Sequence, residues 1–231
     1  FGGAVAVGAT GQLDLSHSDF SNNSASMDGS GVFNHYGSAT LSHLTLTENT
    51  SVRGGPVTNW GTMLILDSTF FANHAELGAG AANALGGTMV VVRSEFADNV
   101  SSRDGGGLFN GTGGHLTVID STIVRNVSTL VGGGLANARD GKVLVMNSTF
   151  TENGSDLGGG IGNIHDGEMS IINSTISGNF SYGAGGGVFN DGVLTLTNAT
   201  IVGNRSDRDG NGNGGGGGLF TNTEPQVITR M

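Results

Sequence analysis

Three charged residues stand at nearly equal intervals in the first half of this sequence. Asp67, Arg93 and Asp120 are separated by 26 and 27 residues. Carboxylates beside a guanidinium could serve acid–base catalysis, as in a polysaccharide lyase or hydrolase. The more common arrangement of such residues is a ladder of surface ion pairs, which is the alternative. Either interpretation requires a chain that returns to the same place once in each interval.

Two histidines precede Asp67 in the same series. His17 and His43 would lie one coil apart, and two imidazoles with a carboxylate form a recognisable metal-ligand set. Arg93 continues the series and would repel a cation. An exposed polar corner is therefore the competing interpretation.

A second candidate for metal binding lies near the end of the sequence, in DRDGNGNGGGGG (207–218). Asp207, Asp209 and Asn211 match the first half of an EF-hand calcium loop. Position twelve is Gly218 instead of the bidentate glutamate. Calcium is the only cofactor that the sequence suggests, and a glycine-rich surface loop is the alternative.

The sequence contains 11 Asn-x-Ser/Thr sequons, which are glycosylation acceptors in hosts that modify them. Four are expected on the outside and are the glycosylation candidates: Asn22, Asn147, Asn173 and Asn198. The other seven are expected to point inward: Asn49, Asn99, Asn110, Asn126, Asn153, Asn179 and Asn204. Without glycosylation, the outer four are turn residues.

The element that must position all these residues is a repeat of 24–27 residues. A glycine cluster with the pattern of GGGL (105–108) recurs along the chain, and an asparagine follows most copies by two residues. These asparagines are Asn34, Asn59, Asn83, Asn110, Asn137, Asn163 and Asn190. A second asparagine follows an apolar residue by three, at Asn23, Asn49, Asn73, Asn99, Asn126, Asn153, Asn179 and Asn204. Such a period indicates a stacked repeat architecture.

Within each repeat, apolar residues alternate with a period of two, as in Leu116-x-Val118, and no segment has a helical period. Three short strands per repeat predict one coil of a right-handed single-stranded parallel β-helix, an all-β solenoid of 8–9 coils. We therefore predict a single domain over residues 1–231. Its repeats cover approximately 2–28, 29–53, 54–77, 78–104, 105–131, 132–157, 158–184 and 185–213, with a partial repeat at 214–231.

Alignment of the repeats separates inward from outward columns. Leu108, Leu116, Val118 and Ile123 represent inward columns, and the asparagines are expected to form hydrogen-bonded ladders at two corners. One outward column is aromatic, at Phe33, Phe109, Phe189 and Phe220. Another is a partly apolar stripe of Leu66, Val92, Ile119, Met146 and Ile172. Phe33, Phe109, Phe189 and the stripe are the predicted interaction surface. A stacked threonine column could also order water, as an ice-binding face does.

The paired signature GG[AG][ILV] and FxxN resembles the repeats of the chlamydial polymorphic membrane proteins. It stands here as Phe20–Asn23, Phe70–Asn73, Phe96–Asn99 and Phe150–Asn153, and the resemblance covers about residues 2–220. The sequence also looks like bacterial surface and adhesin β-helix passengers. The resemblance implies the fold; proteins with that fold include adhesins, pectin-degrading enzymes and filament subunits. The NTD, DD, GHG and RIK-like motifs of polygalacturonases do not occur.

Composition excludes several classes of protein. The chain has 231 residues, 44 glycines, no cysteine, 9 lysines and arginines, and a net charge of −10. Nucleic-acid binding is not expected from so few cations, and no apolar run is long enough for a transmembrane helix. Neither end shows a cap, which would allow end-to-end association into a filament.

We therefore predict a non-enzymatic structural or adhesive solenoid, extracellular or at the cell surface. Its expected partners are other copies of itself, another surface protein or a glycan. The alternatives are a polysaccharide-processing β-helix that uses Asp67, Arg93 and Asp120, and a glycan-binding module that uses the outer phenylalanines.

Overall fold

A computed structural model describes residues 3–212, 214–222 and 227–230 of the chain. All regular elements in this part are β-strands, and all strand pairs are parallel. The strands stack into a β-solenoid of about eight turns, as the repeat predicts. Phe1 and Gly2, at the start of the first predicted repeat, lie outside the described residues, as do Asn213, residues 223–226 and Met231.

Four sheets run along the solenoid axis, and each complete turn contributes one strand to each of them. Sheet A contains Val5–Val7, Val32–Asn34, Val57–Asn59, Ala81–Asn83, Leu108–Asn110, Leu135–Asn137, Ile161–Asn163, Val188–Asn190 and Leu219–Thr221. Sheet B contains Gln12–Ser16, Ser38–Ser42, Thr62–Leu66, Thr88–Val92, His115–Ile119, Lys142–Met146, Glu168–Ile172, Val193–Thr197 and Val227–Arg230.

Sheets C and D complete each turn. Sheet C contains Asp19–Ser21, Thr45–Thr47, Thr69–Phe71, Glu95–Ala97, Thr122–Val124, Thr149–Thr151, Thr175–Ser177 and Thr200–Val202. Sheet D contains Ser24–Ala25, Thr50–Ser51, His74–Leu77, Val100–Asp104, Val127–Ser128, Gly154–Ser155 and Phe180–Ser181. The prediction of three strands per turn was wrong, because most sheet D strands have only two residues and are too short to show alternation.

The core follows from the alternation within sheet B and the central residue of sheet C. Leu108, Leu116, Val118 and Ile123 are buried, as predicted. Equivalent side chains stack from turn to turn, and the rings of Phe70 and Phe96 lie parallel with their centroids 4.4 Å apart. Burial of each large apolar side chain stabilises the fold by about 1.5–3 kcal/mol.

The two predicted asparagine ladders are present. In the first, each Nδ2 donates to Oδ1 of the next asparagine, from Asn34 to Asn190, at 2.7–2.8 Å. In the second, from Asn23 to Asn204, each Oδ1 accepts from both the amide side chain and the backbone N–H of the preceding asparagine. Apart from Asn23 and Asn204 at the ladder ends, these amides are buried, and all are bonded, so they fix the stacking register without the cost of unpaired polar groups.

Candidate functional site

The charged series from the sequence lies at the corner between sheets B and C. Its members have left-handed backbone, with φ from 46° to 53°: His17, His43, Asp67, Arg93, Asp120, Asn147, Asn173 and Asn198. The side chains of this column point outward, and the residue that follows each of them, a serine in most turns, points inward. Ser121, for example, is buried, and its Oγ accepts the backbone N–H of Ser94 at 3.1 Å.

Asp67 and Arg93 meet at this corner, as predicted. Arg93 donates from Nε and Nη2 to the two carboxylate oxygens of Asp67, each at 2.8 Å. This hydrogen-bonded pair lowers the pKa of Asp67 and raises that of Arg93. Asp120 instead accepts a hydrogen bond from the amide of Asn147 at 3.1 Å.

The same ion pair occurs at a second corner, on the other side of sheet C. Arg125 donates from Nε and Nη2 to Asp98 at 2.9 and 2.7 Å. Asp98 and Arg125 also have left-handed backbone and lie one turn apart. Recurrence at an unrelated corner favours a surface ladder over an acid–base site specific to Asp67 and Arg93.

The two histidines of the corner column stack instead of converging. The rings of His17 and His43 are parallel within 4°, with centroids 4.6 Å apart. Across the described ranges, no group of three or more His, Cys, Asp or Glu side chains is placed to hold a metal ion.

The calcium candidate is a surface loop in which the acidic groups accept hydrogen bonds locally. The Asp207 carboxylate accepts the Gly212 N–H at 3.1 and 3.2 Å. Asp209 accepts hydrogen bonds from the backbone N–H and the side-chain amide of Asn211, at 3.3 and 2.7 Å. Calcium binding by Asp207, Asp209 and Asn211 stays a prediction.

The sequons divide by burial largely as predicted. Asn22, Asn147, Asn173 and Asn198 are exposed. Of the seven expected inside, all are buried except Asn204, which is half-buried near the end of its ladder. Glycosylation of the exposed four stays a prediction.

The aromatic column is more buried than the prediction of an interaction surface requires. Phe33 is only 1% exposed, because Trp60 packs edge-on against it with ring centroids 4.9 Å apart. Phe189 is 7% exposed and stacks on Phe220. Phe33 and Phe189 therefore do not form an exposed surface, whereas Phe109 remains half-exposed.

The predicted apolar stripe lies half-exposed on the outer face of sheet B. Its residues are in register: Leu66 pairs with Val92, then follow Ile119, Met146 and Ile172. A second apolar set, which column alignment did not single out, lies beside it at Leu64, Val90 and Leu144. A role for this face in interaction stays a prediction.

Sequence reasoning missed an axial groove on the outer face of sheet A. The groove encloses about 250 Å³. Thr58 and Ala82 form its floor, where small residues interrupt the aromatic column between Phe33 and Phe109. The aromatic rings of Trp60 and Phe109 also line it.

Two rows of chain segments form the walls of the axial groove. The ends of the sheet D strands and the loops that follow them contribute Asp28, Arg53, Gly54, Leu77, Arg103 and Asp104. The loops between sheets A and B contribute Trp60, Ala84, Leu85, Thr112, Ala138, Arg139, Ile164 and His165. The groove therefore holds 3 of the 9 lysines and arginines of an acidic chain: Arg53, Arg103 and Arg139.

The two carboxyl groups in the axial groove are buried. Asp28 is 4% exposed; its Oδ1 accepts the Gly54 N–H at 3.1 Å, whereas its Oδ2 has no hydrogen-bond partner among the residues that the structure describes. Burial raises the pKa of Asp104, against the opposing effects of Arg103 and of a hydrogen bond from the Val131 backbone. Arg103 itself pairs with Glu76 at 2.9 Å.

Cation placement was the sequence signal that could have revealed the axial groove. Arg53 and Arg103 lie at equivalent positions two turns apart, since Gly54 and Asp104, which follow them, both pair with Leu77, whereas Arg139 lies in a loop between sheets A and B. Only the strand pairing shows that the segments around them flank one sheet.

Comparison with known proteins gives no relative: no family model, no curated protein and no solved structure matches this chain. The resemblance to chlamydial and adhesin repeats therefore has no support beyond the motifs themselves. Within the described residues, no helix is long and apolar enough to cross a membrane.

Proposed function

We propose that this chain is a non-enzymatic adhesive β-solenoid that binds its ligand in the axial groove. The groove itself carries the proposal, because binding sites are typically concave, largely apolar and equipped with a few polar groups. An extracellular or cell-surface location belongs to the same proposal and rests on the resemblance of the repeats. The ladders support a structural role as well, since they hold the groove walls on a rigid frame.

The arrangement of acidic groups supports binding without catalysis. Asp28 and Asp104 lie three turns apart, or about 14 Å at the usual spacing of strands. Inverting glycosidases place their two carboxyl groups only about 6.5–9.5 Å apart. The pair of Asp67 and Arg93 lies outside the groove on an exposed corner.

The test is to fill the axial groove without disturbing the fold. In Ala82→Phe, the new ring would stack on that of Phe109, with which position 82 pairs in the neighbouring turn. Phe33 and Phe109 each follow, by four residues, a glycine with positive φ, namely Gly29 and Gly105. Position 82 has the same local backbone, because Gly78 precedes it by four residues and also has positive φ. The matched control is Thr117→Phe on the outer face of sheet B.

Each protein is applied to an array of immobilised glycans and extracellular proteins. We expect the parent chain and Thr117→Phe to bind the same ligand, and Ala82→Phe to lose at least tenfold in affinity. Equal binding by all three proteins would place the ligand outside the groove. No binding by the parent chain would overturn the adhesive function, and cleavage of a bound saccharide would overturn the non-enzymatic one.

A further inference from the structure

We infer that the axial groove takes an acidic oligosaccharide, whose hydroxyl groups meet Asp28 and whose carboxylates meet Arg53 and Arg139. This inference rests on the proposed function and names its ligand. The observation behind it is the juxtaposition of an unpartnered buried oxygen, two unpaired guanidinium groups and two aromatic rings along one groove.

Asp28 requires a hydrogen-bond donor from outside the chain. A buried polar atom without a partner costs about 1–3 kcal/mol, and Asp28 Oδ2 is the only side-chain atom in this state among the described residues. Asp28 lines the groove. A ligand hydroxyl placed there would restore the missing bond.

Arg53 and Arg139 are available to bind an anion. Both are exposed, and within the described part of the chain neither has an acidic side chain within 4.0 Å. All the other cations in the first six turns are paired: Arg93, Arg103, Arg125 and Lys142. Guanidinium groups bind carboxylates with two parallel hydrogen bonds, so unpaired ones on a groove select for that group.

Two aromatic residues provide an apolar surface for the sugar rings. Trp60 and Phe109 line the groove with aromatic rings, against which the C–H face of a sugar ring can pack. A uronic acid sugar carries hydroxyl groups, an apolar face and a carboxylate on one ring. The groove runs along the axis past several turns, which suits a chain of such rings.

The single tryptophan of the chain, Trp60, provides a direct measurement, because its fluorescence reports on the groove. The full chain is titrated with hexasaccharides of galacturonate and of hyaluronan. Chitohexaose serves as the neutral comparison, and polyglutamate tests for recognition of an acidic peptide. We expect both uronate oligomers to change the fluorescence, with an affinity at least tenfold above that for either comparison.

Two variants assign the contacts. Arg139→Asn is expected to lower uronate affinity about tenfold, the effect of one charge-assisted hydrogen bond. The control is Arg125→Asn, because Arg125 has the same left-handed backbone (φ 53° against 54°) but lies away from the groove. The control is expected to bind as the parent does.

Asp28→Asn separates a ligand contact from a structural role. Asparagine keeps an oxygen for the Gly54 N–H and replaces the unpartnered acceptor Oδ2 with an equally unpartnered amide nitrogen, so the melting temperature is expected to change little while uronate affinity falls. Unchanged affinity would show that Asp28 does not contact the ligand.

Three further results would overturn the inference: no response to either uronate, equal affinity for chitohexaose, or preference for polyglutamate. If the array still shows binding that Ala82→Phe abolishes, the proposed function stands and only the acidic saccharide is excluded.

Discussion

Arg93 donates two hydrogen bonds to the two carboxylate oxygens of Asp67, each at 2.8 Å, across one turn of the solenoid. Because this pairing lowers the pKa of Asp67, the carboxylate is a weaker base than an ordinary aspartate. The two side chains that a lyase-like mechanism would use are thus hydrogen-bonded to each other at an exposed corner. Their geometry is that of a ladder pair.

We predict that Arg93→Ala and Arg125→Ala have the same small effect on stability. Both arginines are exposed and form equivalent ion pairs, and exposed pairs are screened by salt. Calorimetry at low salt should show slightly lower melting temperatures for both variants, and the difference should shrink at about 1 M salt. A clearly larger decrease for one of the two variants, or a decrease that persists at about 1 M salt, would contradict this prediction.

We predict a much larger effect from interrupting an asparagine ladder. In Asn137→Ala, the buried Oδ1 of Asn163 loses its donor, and the Nδ2 of Asn110 loses one acceptor but keeps the Gly114 carbonyl. Each buried group left unpaired costs about 1–3 kcal/mol. The measurement is the urea midpoint, compared with that of the exposed Asn173→Gly, which keeps a residue suited to left-handed backbone. Equal midpoints for the two variants would mean that the ladder does not stabilise the stack.

We predict that the buried carboxyl group of Asp104 makes the free energy of unfolding depend on pH. Burial raises its pKa in the folded chain above the ordinary value of about 3.9. Between these two values the folded state binds more protons than the unfolded state, so this group lowers stability as pH rises through the window. Asp104→Asn removes the penalty and keeps an acceptor for the Val131 backbone.

The variant should therefore melt at a higher temperature than the parent at neutral pH, and the difference should vanish below about pH 4. Asp156→Asn is the control, because Asp156 is exposed in a loop between sheets D and A. A pH-independent difference for Asp104→Asn would show that packing, and not the charge of the buried carboxyl group, sets its effect.

Alignment of the repeats predicts the structural features that recur from turn to turn. Asparagines equivalent to Asn110 and Asn126 recur in most turns, so their ladders and the inward position of Leu116 follow from alignment. The short strand Val127–Ser128 does not alternate visibly, so the fourth sheet was missed. Burial of Phe33 depends on Trp60 of the following turn, a contact that no column shows. The axial groove depends on loop paths, which local sequence patterns do not determine.

The apolar stripe on sheet B leads to the last prediction. Ile119 and Met146 are half-exposed and in register, and the same column holds Ser16, Ser42 and Thr197 in other turns. The double variant Ile119→Thr and Met146→Thr should therefore fold normally, with a stability change within about 0.5 kcal/mol, as is usual at surface positions.

If the stripe joins copies of the chain, this double variant should shift sedimentation velocity profiles towards the monomer. Thr197→Ile extends the stripe by one turn and should shift them in the opposite direction, because a larger apolar patch buries more area on association. Opposite shifts of the two sedimentation profiles distinguish association from misfolding, since a general loss of folding would shift both profiles in the same direction. Identical profiles for the parent and both variants would show that this face does not mediate self-association.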